Sequence, residues 1–100
     1  YWELASLMTR PASQADALSV WATKPLDVRA DVVMMLPCAS EILLSQLATT
    51  ETAEARALRA ACQARVRAEH APCDARIDAP EVDRALLDAL VARQRRARCR

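Results

Sequence analysis

Glycine is absent from all 100 residues of this chain. Glycine lets the backbone adopt positive φ or approach a phosphate closely, so its absence excludes phosphate-cradling loops, dinucleotide-binding fingerprints and the nucleophile elbow of serine hydrolases. Tight two-residue hairpins also lose their most favourable residues. Because glycine costs about 1 kcal/mol relative to alanine inside a helix, a chain without it is typical of a nearly all-helical protein.

Aromatic residues are also scarce, since they make up 3 % of a chain that is 53 % hydrophobic. The core must therefore consist of Leu, Val, Met and many Ala, whose small side chains let helices approach closely. We expect an all-α fold without a sheet, in which residues 1–100 form a single domain: a compact bundle of four to five helices with alanine-rich packing. A core this thin often needs a disulfide, a metal or a partner surface.

Long apolar runs are missing, and no run approaches the roughly 20 residues that a transmembrane helix needs. No secretory leader is recognisable, and the chain begins with Tyr1 rather than methionine. We therefore expect a fragment or a subunit of a larger protein.

Apolar periodicity and proline positions divide the chain into helical segments. The expected segments are 1–8, 11–22, a central helix ending near 36, 38–48 after a break at Pro37, a helix from the threonines at 49–50 to about 69, and a final helix. Asp78-Ala79-Pro80-Glu81 combines an N-cap, a first-turn proline and a glutamate three residues after the cap, which predicts that the final helix begins there. Its last two turns are expected to project from the core.

The four cysteines are Cys38, Cys62, Cys73 and Cys99. If the helices on either side of residues 49–50 form an antiparallel hairpin, Cys38 and Cys62 lie at nearly the same height, so we expect this pair to form a disulfide. A straight final helix would hold Cys73 and Cys99 about 30 Å apart, so either that helix is short or bent, or Cys99 pairs outside this chain. Pairing of Cys38 with Cys73 is an alternative, and so are four reduced thiols.

Metal and catalytic sites are not predicted. His70 and Cys73, with Cys62 and either Cys38 or Cys99, could ligate zinc, but only one ligand pair is close in sequence. A Cys73 nucleophile with His70 as its general base would need an oxyanion hole, which this composition does not favour. Asp27 and Asp31 lie one helical turn apart, and their register indicates a solvated face. We expect no enzyme activity and no cofactor.

Two groups of residues are candidates for interaction with other molecules. The first is the N-terminal group of Tyr1, Trp2 and Leu4, which could dock on another chain because tryptophan is enriched at interface hot spots. The second is the C-terminal arginine cluster, which could meet phosphate, an acidic partner or water. Its members are Arg93, Arg95, Arg96, Arg98 and Arg100.

The sequence thus favours a non-enzymatic helical protein-interaction or structural module within a larger assembly, with another protein chain as its partner. One alternative is a small secreted, disulfide-stapled protein that holds an apolar ligand beside Met34 and Met35. A second alternative, not favoured, is a nucleic-acid accessory protein that uses the arginine cluster. We expect an extracytoplasmic location if the disulfides form, and otherwise an intracellular one.

Overall fold

A computed structural model describes residues 1–99, and Arg100 lies outside the described residues. Six helices occur in this part of the chain, without any strand: α1 (Trp2–Met8), α2 (Pro11–Ala22), α3 (Leu26–Met35), α4 (Glu41–Thr49), α5 (Ala53–His70) and α6 (Arg84–Arg98). The expected all-α class is confirmed. The expected count of four to five is too low, because the short first segment and the segment after Pro37 each form a helix of their own.

Prolines set two of the helix boundaries. Pro11 occupies the first turn of α2, where a missing N–H costs nothing. Pro37 ends α3, because the residue before a proline is driven out of helical geometry, and Leu36 has ψ 150°. The next helix starts at Glu41 rather than Cys38, since the Ser40 hydroxyl accepts a hydrogen bond from the Leu43 N–H and caps it there.

Helix α5 starts later than expected, although a threonine does cap it. Thr52, not Thr49 or Thr50, is the N-cap, and its hydroxyl accepts from the Ala55 N–H at 3.1 Å. Thr49 and Thr50 instead donate their hydroxyls to the Gln46 carbonyl at the end of α4. One short connection therefore contains the end of one helix and the cap of the next.

The start of α6 differs most from its prediction. Residues 78–81 are not helical: the Val82 N–H donates to the Ala79 carbonyl at 3.0 Å, which closes a turn around Pro80. Proline at this position suits a β-turn as well as it suits the first turn of a helix. Ala79 and Val82 are buried, so the turn packs on the core and the helix begins only at Arg84.

Helices α5 and α6 run in the same direction. At one end, Arg98 donates to carbonyls of the last turn of α5. At the other end, Ala53 and Ala57 line the same cavity as Asp83 and Leu86. Parallel neighbours need a long connection. Segment 71–83 provides it by returning along α6 in non-helical conformation.

The core lies between α3 and α5, each of which packs against four other helices. Leu18 and Trp21 are buried as their spacing predicts, and α3 buries Val32 and Val33 completely. Two large apolar residues of α3 and α4 nevertheless remain exposed. Met35 is 48 % exposed and Ile42 is 73 % exposed.

Side chains satisfy the carbonyl groups at the helix C-termini. No residue of the described chain has positive φ, so the left-handed C-cap that usually serves this purpose is not used. The Arg65 guanidinium instead donates to the carbonyls of Val33, at 2.9 Å, and Leu36 at the end of α3. Arg98 donates to the carbonyls of Ala68, Glu69 and Ala71 at the end of α5.

This capping predicts that two arginines of α5 differ in their effect on stability. Arg65→Met removes the donor at the end of α3 and should lower the free energy of unfolding by about 2 kcal/mol, because hydrogen bonds from charged groups are the stronger ones. Arg59→Met, on the exposed side of α5, should change it by less than about 0.5 kcal/mol. Urea unfolding followed by circular dichroism measures both, and equal effects would contradict the capping role.

Both cysteine pairs lie at disulfide distance. Cys38 and Cys62 have Cα atoms 5.0 Å apart, which confirms the expected pair. Cys73 and Cys99 have Cα atoms 5.9 Å apart, so Cys99 does not need a partner outside the chain. The estimate of about 30 Å between them was wrong because it placed Cys73 at the start of the last helix. The return segment starts beside the C-terminus of α6, and Cys73 lies there.

The second disulfide should hold the return segment and the end of α6 together. Replacing Cys73 and Cys99 by serine should lower stability by about 3 kcal/mol, as expected for a closed loop of this size. Hydrogen exchange should rise in residues 71–78 and 95–98, while the amides of α4 and the first half of α5 stay protected. A uniform rise over all helices would show that the disulfide stabilises the whole fold rather than this end.

Candidate interaction surface

Large apolar side chains are exposed where α1 meets α2. Tyr1 is 61 % exposed and Trp2 is 71 % exposed, and Leu7 and Val20 are each at least 40 % exposed. They line a groove of about 720 Å³ together with the half-buried Leu4. We call this groove the aromatic surface. Exposed aromatic side chains grouped with aliphatic ones are typical of protein-binding sites.

The aromatic surface exists because α1 is apolar on more than one side. Ala5 and Met8 face the core, and Met8 is fully buried. Trp2 and Leu7 lie outside that buried face and remain exposed. On α2, Leu18 and Trp21 form the buried stripe, so Val20 points away from it.

Gln14 fixes the angle between the two helices. Its side chain is buried, and its amide nitrogen donates to the Met8 carbonyl at 2.9 Å and to the Gln46 side-chain oxygen at 3.3 Å. The Ser13 hydroxyl donates to the Leu7 carbonyl at 2.8 Å. The groove is therefore part of a hydrogen-bonded helix pair and does not depend on a loose terminus.

Sequence reasoning identified Tyr1, Trp2 and Leu4 and the structure brings these three together. It missed Leu7 and Val20. Val20 carried a usable signal, because it is an apolar residue of α2 outside the stripe set by Leu18 and Trp21. The sequence carried no such signal for Leu7, because the apolar residues of a single short helix do not show which side of that helix is buried.

The arginine cluster does not form one free patch. Arg93 is 18 % exposed in its side chain and pairs with Asp31 at 2.9 Å and with Asp27 at 3.4 Å. The hydrogen bond to Asp31 raises the pKa of Arg93, and the charges of both aspartates add to it against partial desolvation. The two carboxylates thus favour the charged form of Arg93. The Asp27 side chain is 87 % exposed and that of Asp31 is 44 % exposed, so the two aspartates lie on a solvated face as expected and also bind Arg93 there.

Two other members of the cluster bind backbone groups. Arg95 donates to the Ala75 carbonyl in the return segment, and Arg98 caps α5. The last two turns of α6 therefore do not project from the core, and Gln94 within them is buried. Arg96 is exposed and has no ion-pair partner among residues 1–99. An interaction role for Arg95, Arg96 and Arg98 stays a prediction, and Arg100 lies outside the described residues.

A second and larger groove, of about 1060 Å³, runs along the outer side of α5. We call it the α5 groove. Neither Met34 nor Met35 lines this groove or the aromatic surface. The aliphatic lining of the α5 groove comes from Leu44 and Val66 and from alanines of α5.

The cysteines and the histidine do not assemble a metal site in the described part of the chain. Cys62 and Cys73 belong to different disulfides, and His70 is exposed. No group of three or more potential ligands occurs among residues 1–99. Over the same residues, no helix combines the length and the apolar character needed to cross a membrane.

Comparison with protein-family models, with curated proteins and with solved structures finds no match to this chain. The two grooves and the arginines around them are the candidate functional features of the described chain.

Substitution of the two tryptophans should affect stability to very different extents. Trp21→Ala should lower the free energy of unfolding by about 3 to 5 kcal/mol, because Trp21 is 2 % exposed and its indole N–H donates to the Arg29 carbonyl. Trp2→Ala should change it by less than about 1 kcal/mol, as expected for a surface residue. Thermal and urea unfolding of both variants test this, and a large loss for Trp2→Ala would identify Trp2 as a structural residue instead.

Proposed function

We propose that this chain is a non-enzymatic helical interaction module that docks on another protein chain through its aromatic surface. The observation that carries the proposal is the combined exposure of Tyr1 and Trp2 beside Leu7 and Val20 in one groove. Leaving two large aromatic side chains in water forfeits the free energy of burying them, which a partner surface would recover.

The charges around the groove support a protein partner. Glu3, Asp16 and Lys24 lie at its edge. None of these three makes an ion pair within residues 1–99. An apolar centre with polar groups of both signs at the rim is the usual arrangement of a protein–protein interface. A partner helix or strand would meet both kinds of group.

The disulfides support an oxidising environment for this module. Two cysteine pairs at disulfide distance account for all four cysteines of the chain. Disulfides persist mainly in secreted and other extracytoplasmic proteins. We therefore place the proposed interaction outside the cytoplasm.

The two alternatives have less support. A carrier of an apolar ligand would need an enclosed space, whereas the interior is filled by one continuous cluster of buried side chains. A nucleic-acid accessory protein would need its arginines free for phosphate, whereas Arg93, Arg95 and Arg98 bind groups within the chain.

A photo-crosslinking residue at position 2 tests the docking surface directly. In cells that produce the protein, irradiation should give one discrete adduct between position 2 and a second protein chain. Placing Glu at position 7 in the same chain should abolish the adduct, because a carboxylate would be buried in the apolar centre of the interface.

Position 42 provides the matched control, since Ile42 is an equally exposed aliphatic residue that lines neither groove. The same crosslinker there should give no adduct of that mass. Identical adducts from positions 2 and 42, or none from position 2, would overturn the proposal.

A further inference from the structure

The α5 groove has a different chemistry from the aromatic surface. Its floor is the outer side of α5, where Ala53, Ala57 and Ala60 follow one another at spacings of four and three residues. Such a spacing keeps the three side chains on one side of the helix. Leu44 of α4 and Pro80 of the return segment contribute to the lining on either side of it.

Three arginines stand along this floor. Arg56 and Arg59 are exposed, and neither makes a hydrogen bond from its side chain or an ion pair with any residue of the described chain. Arg67 donates one nitrogen to the Asp78 carbonyl at 3.0 Å and is otherwise exposed. The groove is thus positively charged along the α5 side.

Five arginines among residues 1–99 have no side-chain acceptor in the fold, and of these only Arg56 and Arg59 line the α5 groove. Arg65, Arg93, Arg95 and Arg98 all bind carbonyl or carboxylate oxygens inside the fold. These four arginines are occupied within the fold. Because Arg56 and Arg59 have no internal acceptor and stand next to an apolar floor, they are available to acceptors from outside.

We propose that the α5 groove binds an acidic amphipathic helix of another polypeptide. The shape, the small side chains and the charge each support this occupant. Ala53 and Arg67 are separated by about 21 Å along the helix axis, which is the length of about four helical turns. Alanine on the floor lets a second helix approach closely, as in helix packing through small residues.

The charge complementarity fixes the chemistry of the partner helix. Its apolar stripe lies on the alanines, with Leu44 and Val66 at the edges of the contact. Asp and Glu on the flank that faces α5 pair with Arg56, Arg59 and Arg67. A nucleic-acid strand would satisfy the arginines but would leave the apolar floor without a partner, so a peptide fits the groove better.

Glu81 determines which flank of the partner carries the acids. It is the acidic side chain in the described lining, and it lies with Pro80 in the turn of the return segment. A partner carboxylate near Glu81 would be repelled. The acidic flank therefore faces the arginines, and a neutral or basic flank faces Glu81.

A display library of helical peptides tests the proposal with the full, disulfide-bonded chain. Each peptide has 14 to 18 residues, aliphatic residues on one stripe, and Glu, Gln or Lys at random on both flanks. We expect selected peptides to carry Glu on one flank, and their binding should weaken as ionic strength rises. Nuclear magnetic resonance shifts on binding should map to residues 53–67.

Charge variants then identify the groove. Arg56→Gln combined with Arg59→Gln should weaken the selected peptides about threefold to tenfold, as expected for two partly exposed ion pairs. Glu81→Gln should tighten binding about twofold by removing a like charge. Arg96→Gln, an exposed arginine outside the groove, should leave the affinity unchanged.

Other outcomes would overturn the inference. These are selected peptides without a preference for Glu, equal weakening by Arg96→Gln, or a random DNA duplex that binds the groove arginines more tightly than the peptides. Trp2→Ala should not affect the peptides. Loss of their binding in that variant would assign them to the aromatic surface, so the two proposals can fail independently.

Discussion

The structure depends on how the carbonyl groups at the helix C-termini find hydrogen-bond donors in a chain that contains no glycine. Each helix end leaves carbonyl groups without intrahelical donors, and a left-handed glycine commonly supplies the missing N–H groups. Here the threonine and serine hydroxyls serve α1, α2 and α4, where the next residues of the same chain can reach back. The two central helices, α3 and α5, end beside other helices, so their donors come from across the fold as the guanidinium groups of Arg65 and Arg98. Arginine suits this role because its planar group offers several N–H donors at fixed angles on a long side chain.

The parallel arrangement of α5 and α6 is what allows one helix to cap the other. With both C-termini at one end of the molecule, Arg98 of one helix reaches the last carbonyls of the other. The cost is the long return segment 71–83, which has no helical hydrogen bonds of its own. It is held by Cys73–Cys99, by Arg95 on the Ala75 carbonyl and by Arg67 on the Asp78 carbonyl. The segment also brings Pro80 and Glu81 to the edge of the α5 groove, so a connection that completes the fold shapes a candidate binding site as well.

The sequence predicted those features of the fold that depend on residues close together in the chain. The break at Pro37, the start at Pro11 and the pairing of Cys38 with Cys62 all follow from neighbouring residues or from one hairpin. The pairing of Cys73 with Cys99 could not be derived, because it depends on whether residues 78–81 begin a helix or close a turn. The motif is compatible with both, and the burial of Ala79 and Val82 against other helices decides between them. Likewise, the sequence identified Trp2 as a candidate because it lies at a chain end, but the groove also needs Val20, whose exposure depends on how α2 packs.

The arginines show why a charge cluster in a sequence does not define a binding site. Arg93, Arg95 and Arg98 belong to the densest basic run, yet they act within the fold. Arg56 and Arg59, by contrast, are interspersed with acids in the sequence and have no internal acceptor. The two groups of arginines differ only in whether an acceptor lies near the guanidinium, which the structure shows and the sequence does not. The aromatic surface and the α5 groove share no lining residue, one being uncharged at its centre and the other basic along one side. The two proposed partners would therefore not compete, since neither needs a residue that the other one covers.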